Sequence, residues 1–188
     1  LDSSRFEAVE AGLKESQGRP LVNSLSLKEG EAEFRRLARL TRRYGASVIV
    51  MAFDERGQAD STPRRLEIVA RARRILNEEG FQDEDIVFDL NVLPIGTGMA
   101  EHDDYARSFL EALQILKERF PGCSFSGGIS TLSFSFRGAE AVRRALHSVF
   151  LFHAVRAGLT LGSRGKTLSV GGGWRVLGAA LDYALRAP

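Results

Sequence analysis

The chain has 188 residues, 44% of them hydrophobic and 27% charged, which suits one globular domain with a substantial core. Its 26 basic residues nearly balance its 24 acidic residues, so the net charge of +2 offers no basic field for nucleic acid or an anionic membrane. Cys123 is the single cysteine, which excludes an internal disulfide and any zinc or iron–sulfur site built from several cysteines. We find no signal peptide and no apolar run of membrane-spanning length, and we therefore predict a cytoplasmic protein.

The first third of the chain alternates predicted strands and helices. Residues 1–4 are typical of the last residues of a strand, and since the chain lacks an initial Met we expect a fragment of a longer polypeptide. A helix is predicted from about residue 5, a short strand over residues 21–24, and then a helix that Gly45 ends. Residues 47–53 form the clearest strand. An arginine-rich helix follows up to about residue 79, and its arginines are predicted to form a solvated face.

The alternation continues to the C-terminal part. Residues 86–88 are an apolar run that ends on Asp89 and is followed by a Pro/Gly-punctuated loop, which predicts a buried parallel strand. An amphipathic helix is predicted from residue 105 to 120, a short strand over 123–128, and a possible last strand over 159–161. A further helix before Gly158 has a stripe predicted to face the core, made of Val142, Ala145, Leu146, Val149 and His153. Residues 162–173 are Gly-rich, and residues 174–186 are predicted to be helical.

Repetition of strand, polar loop and helix at intervals of roughly 25–38 residues predicts an α/β chain with a parallel sheet. Alternation alone does not distinguish a barrel from an open doubly wound sheet, and five or six strands are too few for a closed barrel. Polar residues follow the strands where a parallel sheet places its ligands, namely Asp2, Asn23, Asp54, Asp89, Asn91 and Thr131. Carboxylates, amides and a hydroxyl suit a flat, nitrogen-rich heterocycle better than a metal ion.

Several motifs in order resemble the pterin-binding (folate) domain of cobalamin-dependent methionine synthase. They are residues 1–4 (LDSS), 22–24 (VNS) with 26–30 (SLKEG), 50–55 (VMAFDE) with 57–59 (GQA), 86–89 (IVFD), 96–98 (GTG) with 101–102 (EH), and 126–128 (SGG) with 133–138 (SFSFRG). The resemblance runs from residue 1 to about residue 162 and leaves residues 163–188 as an atypical Gly-rich segment and terminal helix. It implies a TIM-type (β/α) barrel that is incomplete here, because the chain would begin at the end of the third strand.

The resemblance also implies the activity. In that family the domain binds methyltetrahydrofolate and supports methyl transfer from N5 to the cobalt of cob(I)alamin during methionine synthesis. Asp2, Asn23 and Asp89 would then bind the pterin, and we assign Asn91 and Arg137 to the same site. Cobalamin would be carried by a separate domain or protein. The expected partners are therefore that cobalamin-binding domain and possibly the missing barrel strands. We predict no metal ligands and no zinc site in this chain.

Three positions depart from the family pattern. Thr131 stands where the family has the Asn expected to contact N5, so we assign the catalytic position to Thr131, whose hydroxyl is shorter than an amide side chain. Leu90 stands where the family has Pro, and from Ser163 onward the resemblance ends. A second hypothesis therefore stays open, in which the chain is a non-catalytic pterin-binding module or a truncated barrel fragment without activity.

Overall fold

Parallel strands form the centre of the sheet in the computed structural model, which describes residues 1–3, 5–164 and 167–170. The strands are β1 (Leu21–Leu27), β2 (Ser47–Asp54), β3 (Gly57–Gln58), β4 (Ile86–Asp89), β5 (Ser124–Gly128), β6 (Leu161–Arg164) and β7 (Thr167–Val170). The helices are α1 (Phe6–Glu15), α2 (Glu31–Arg43), α3 (Thr62–Glu78), α4 (Tyr105–Arg119) and α5 (Glu140–Ala157). Short 3₁₀ segments cover Asp83–Asp85, Ala100–His102 and Ile129–Phe136.

The sheet order among the described strands is β1-β2-β4-β5-β6-β7, with the short β3 paired to β2. Neighbours from β1 to β6 are parallel, while β3 and β7 run antiparallel to β2 and β6. Asp2 forms an isolated parallel bridge with Asn23, which agrees with the predicted strand end at the start of the chain. The predicted α/β parallel sheet is confirmed. The described strands form an open sheet, and they do not close into a barrel.

Alternation along the strands gives the sheet two different faces. Val48, Val50 and Phe88 belong to the main core, where α2 to α5 pack against the sheet. Ile49 and Val87 alternate with them and form a separate small cluster with Leu21 on the opposite face. Asp89 follows Val87 by two residues, so its side chain belongs to that second face, away from the helices. The helix-covered core thus holds the strands in place while the other face carries the polar residues.

Helix α5 presents a different face to the core than the sequence predicted. Phe150 and Ala154 are its buried residues, with Leu146 partly buried beside them. Two members of the predicted core-facing stripe, Val142 and Val149, are 45% and 60% exposed. His153 is also exposed and lies edge-on to Phe152, so its predicted packing against the core is wrong.

The C-terminal strands lie beyond the predicted positions. The predicted strand at 159–161 is displaced to Leu161–Arg164, and β7 returns antiparallel to it within the Gly-rich segment, where no strand was predicted. β6 spans the predicted boundary between residues 162 and 163, so the sheet continues across it. The helix predicted over residues 174–186 lies outside the described residues.

The arginine-rich helix α3 is only partly a solvated face. Arg71, Arg73 and Arg74 do form ion pairs near the surface. Arg65, in contrast, is fully buried and is among the largest fully buried side chains in the described part of the chain. Arg64 is only 14% exposed and makes a two-point contact with the buried Asp54 carboxylate. The prediction of a solvated arginine face is therefore wrong for Arg64 and Arg65.

Candidate functional site

Asp2 and Asn23 lie side by side at the β1 edge of the sheet. Leu1 C=O accepts a hydrogen bond from the Asn23 N–H (2.8 Å), and the Leu1 amino group donates to Leu21 C=O (2.7 Å). These two bonds align the start of the chain with β1 and bring the predicted pair of pterin-binding residues together. Asp2 is exposed and Asn23 is partly buried, so both side chains remain accessible to a ligand.

Asp89 lies two strands away from Asn23. In the register of the sheet it is opposite Met51 of β2 and Ser126 of β5. Each inter-strand step is about 4.8 Å, so the β1 and β4 backbones lie roughly 10 Å apart. The Asp2–Asn23 pair and Asp89 therefore flank β2, at a separation that one bicyclic ligand with polar groups at both ends could bridge.

The Asp89 carboxylate lies in a site that disfavours its charge. Burial raises the pKa of Asp89, and the Asn91 N–H and the Ser126 hydroxyl act in the opposite direction. Asn91 N–H donates to Asp89 Oδ1 at 2.9 Å. Oδ2 accepts no hydrogen bond of good geometry from the described residues. Asp89 is partly exposed, so its carboxylate is suited to accept N–H groups from a ligand.

Ser126 is a site residue that the sequence analysis missed. It is 3% exposed, lies beside Asp89 on the same face of the sheet, and lowers the pKa of that carboxyl. Its Oγ nevertheless forms no hydrogen bond of good geometry with any described group. Ser126 therefore contributes to the site through its effect on the Asp89 carboxylate beside it. Its position next to Phe125 could have indicated this role. Successive residues of a strand point to opposite faces, so with Phe125 in the helix-covered core Ser126 lies on the same face as Asp89.

Asn91, which we predicted to bind substrate, has its amide nitrogen committed to the fold. The residue is buried, adopts a φ of 58°, and donates from Nδ2 to Ala52 C=O at 2.8 Å. Its backbone C=O accepts from the guanidinium of Arg65 at 3.1 Å. These bonds hold the loop after β4 against the end of β2. Its role in binding substrate stays a prediction.

Thr131 and Arg137 lie in the segment after β5. Thr131 is partly buried within Ile129–Phe136, and its hydroxyl forms no hydrogen bond with the described residues. Arg137 is exposed, and its guanidinium lies over the Phe134 ring at 4.6 Å. Their predicted roles as catalytic and substrate-binding residues stay predictions.

The loops after β4 and β5 are joined to each other. Ile95 N–H donates to Leu132 C=O at 3.0 Å. Gly96 has a φ of 63°, and a Cβ there would lie 2.5 Å from the Phe136 ring, so glycine permits this close approach. Farther along, Ser133 Oγ is bonded to His147 Nε2 (2.7 Å) and accepts from Arg143 Nε (3.1 Å). The loop carrying Thr131 is thus fixed to both the Asp89 loop and α5.

Asp54, predicted to converge with the other strand-end residues, is not available to a ligand. Arg64 donates to both of its carboxylate oxygens and Arg56 N–H donates to Oδ1 at 2.9 Å. The Arg64 contact holds the pKa of Asp54 below its ordinary value. Asp54 therefore stabilises the turn between β2 and β3, and the accessible polar set reduces to Asp2, Asn23, Asp89 and Thr131, with the buried Ser126 beside Asp89.

The set combines hydrogen-bond acceptors with hydroxyl and amide donors on one face of the sheet. Within the described ranges, no three His, Cys, Asp or Glu side chains come together as metal ligands. The helices that the structure describes include none long and apolar enough to cross a membrane. Cys123 is buried, and burial raises its pKa to about 12, so it remains a thiol at neutral pH.

The structure thus brings Asp2, Asn23 and Asp89 to one part of a parallel α/β sheet, with Ser126 beside Asp89. Residues 1–163 match the family described as pterin binding enzyme. The chain belongs to this family, and the match includes every residue of the accessible set. The family match therefore supports pterin binding by this chain.

Proposed function

We propose that the chain binds methyltetrahydrofolate and supports transfer of its N5-methyl group to cob(I)alamin carried by a separate domain or protein. The family includes pterin-using synthases as well as methyltransferases, so membership alone leaves the reaction open. The observation that carries the binding part is the pair formed by Asp89 and Ser126. Asp89 is partly exposed and accepts a hydrogen bond from Asn91 N–H at Oδ1, and the buried Ser126 lies beside it on the same face of the sheet and acts on the same carboxylate.

A pterin would bind to this carboxylate. Its pyrimidine edge presents neighbouring N–H groups, and a carboxylate accepts two parallel N–H bonds more strongly than a neutral group does. Asp89 would accept this edge through Oδ2 while Asn91 N–H continues to hold Oδ1. The Ser126 hydroxyl would donate or accept at the adjacent position, and Asp2 with Asn23 would bind the far side of the ring system.

The methyltransferase part is supported by the resemblance around Thr131. A neutral tertiary amine is a poor leaving group, so methyl transfer needs a proton or hydrogen bond at N5. The protein would orient the methyl group toward the corrinoid and place a donor near N5. The Thr131 segment is fixed to the Asp89 loop, which would keep the distance between the pterin edge and the N5 contact constant.

The experiment that tests this function is methyl transfer from methyltetrahydrofolate to free cob(I)alamin, followed by the absorbance change of the corrinoid. The proposal expects a rate above the uncatalysed reaction that saturates with methyltetrahydrofolate. Folate binding without any methyl transfer would support instead the non-catalytic pterin-binding module. Absence of both binding and transfer would mean that the resemblance records ancestry alone.

We expect folate affinity to depend on pH through Asp89. Because burial raises its pKa, the carboxylate becomes protonated at a higher pH than an ordinary Asp, whose pKa is about 3.9. Affinity that needs the charged form is complete above the pKa of Asp89 and is lost as the pH falls through it. Calorimetric titration over a pH series measures this loss. Asp89→Asn is the control, because it should retain only the pH dependence of the ligand itself.

A further inference from the structure

Arg65 is a buried cation, and no carboxylate of the described residues forms an ion pair with it. Its side chain is fully buried under the loop that follows β4. Nε donates to Leu90 C=O (2.8 Å), Nη2 to Asn91 C=O (3.1 Å) and Nη1 to Ser108 Oγ (2.9 Å), so all three acceptors are uncharged. Burial lowers its pKa to about 10, and Asp60 and Tyr105 oppose this at longer range. Arg65 is therefore still charged at neutral pH, in a place where charge is costly.

The hydrogen bonds of Arg65 lead directly to Asp89. Leu90 C=O and Asn91 N–H belong to the same peptide group. Arg65 Nε donates to the oxygen of that group (2.8 Å), and its N–H donates to Asp89 Oδ1 (2.9 Å). A cation bonded to a peptide oxygen fixes the plane of the peptide and makes its N–H a stronger donor, because linked hydrogen bonds polarise one another.

A second contact holds the adjoining Asp89–Leu90 peptide. Its N–H, which is that of Leu90, donates to Ser126 C=O (3.3 Å) and so connects the loop to β5. Asn91 has a φ of 58°, in the left-handed region that few residues with a side chain adopt and that Asn adopts more readily than most. Arg65 helps to hold this conformation by donating to the Asn91 C=O.

We propose that Arg65 is a positioning residue for the pterin site: its guanidinium orients and polarises the Leu90–Asn91 peptide, which in turn holds the Asp89 carboxylate ready to accept the pterin edge. This inference rests on the proposed binding function. Arg65 touches no ligand itself. A core side chain with a purely structural role would contribute to stability and leave Asp89 unchanged.

The test compares Arg65→Met and Arg65→Lys with the unmodified chain. Methionine keeps the apolar bulk and removes the charge and all three donors, so we expect affinity for methyltetrahydrofolate to fall about tenfold, the loss of roughly one hydrogen bond at the site. We also expect the pKa of Asp89 to rise, measured by NMR of the side-chain carboxyl carbons in the ligand-free chain. Lysine keeps the charge with a single donor group, and both effects should be smaller.

Arg73→Met is the matched control, because Arg73 lies on the same helix, stacks on Phe120 at 4.6 Å and pairs with Asp83 away from the site. It should change neither affinity nor the titration of Asp89. In an Asp89→Asn background, Arg65→Met should cause no further loss of affinity, since the group it positions is gone. If Arg65→Met lowers the unfolding midpoint while affinity and the Asp89 titration stay unchanged, Arg65 is only structural and the proposal is overturned.

Two further measurements keep the result decisive. If neither variant at position 65 folds, Ser108→Ala removes one of the three acceptors that orient the guanidinium, and a rise in the pKa of Asp89 supports the proposal while no change contradicts it. If the unmodified chain binds no folate, the proposed function fails. The ligand-free titration of Asp89 still reports whether Arg65 acts on this carboxylate, so the two failures can be distinguished.

Discussion

Replacement of Thr131 by Asn is expected to raise the rate of methyl transfer to cob(I)alamin by roughly 10²–10³-fold, with little change in folate affinity. A single well-placed donor at a site of developing charge can contribute that much, because its hydrogen bond strengthens as the transition state forms. Thr131 lies on the loop fixed to the Asp89 loop, and its hydroxyl bonds to no described residue. The longer Asn side chain would carry a donor closer to N5.

The measurement is the single-turnover rate at saturating methyltetrahydrofolate, with affinity determined separately. Thr131→Val is the control, because it keeps the shape of the side chain and removes the hydroxyl. If the Thr form already transfers methyl as fast as the Asn form, Thr131 or a water held by it provides the contact. If both forms bind folate and neither transfers methyl, the chain is a binding module.

Replacement of Asp89 by Asn is expected to weaken binding of methyltetrahydrofolate by about 10- to 150-fold. Asparagine keeps the shape but turns part of an acceptor into a donor that faces the N–H groups of the ligand, at a cost of roughly 1.5–3 kcal/mol. Calorimetric titration at neutral pH measures the change. Unchanged affinity would remove Asp89 from the site.

Asp54→Asn is a matched control for this experiment. Asp54 is another carboxylate at a strand end, but Arg64 occupies both of its oxygens, so its loss should leave folate affinity unchanged. The two variants should also differ in stability. The pKa of Asp89 is raised in the folded chain, so the stability it contributes is complete in acid and lost as the pH rises through that pKa. Asp89→Asn should therefore raise the unfolding midpoint at neutral pH, while Asp54→Asn should lower it.

Local pattern was sufficient to predict most of the elements of this fold. Strands β2 and β4 are continuous apolar runs, and α4 has its apolar residues at regular steps of three and four. Helix α5 was predicted in the wrong orientation because it is apolar on more than one side. Val142 and Val149 lie on one apolar side of the helix, and Phe150 lies on another. Helical periodicity alone does not determine which side is buried.

The site was predictable only in part. Strand ends converge in a parallel sheet, which predicted that Asp2 and Asp89 lie on one side, while their roles in pterin binding came from the family resemblance. Asn23 was predicted near the end of a strand over residues 21–24, whereas β1 continues to Leu27. Arg65 and Ser126 could not be predicted in the same way. An arginine within a charged helix is normally solvated, and only tertiary packing places Arg65 under the β4 loop. Serine is common in strands and loops, and its significance here comes from its effect on the Asp89 carboxylate beside it.

Recognition of the pterin ring is tested most directly by calorimetric titration of the chain with the two halves of folate separately. We expect 6-methylpterin to bind and to compete with methyltetrahydrofolate, and we expect its binding to be lost in Asp89→Asn. We expect p-aminobenzoylglutamate alone to bind far more weakly, because Asp89 and Ser126 offer nothing to its benzoyl group. Binding of p-aminobenzoylglutamate in preference to 6-methylpterin would contradict a pterin site at Asp89.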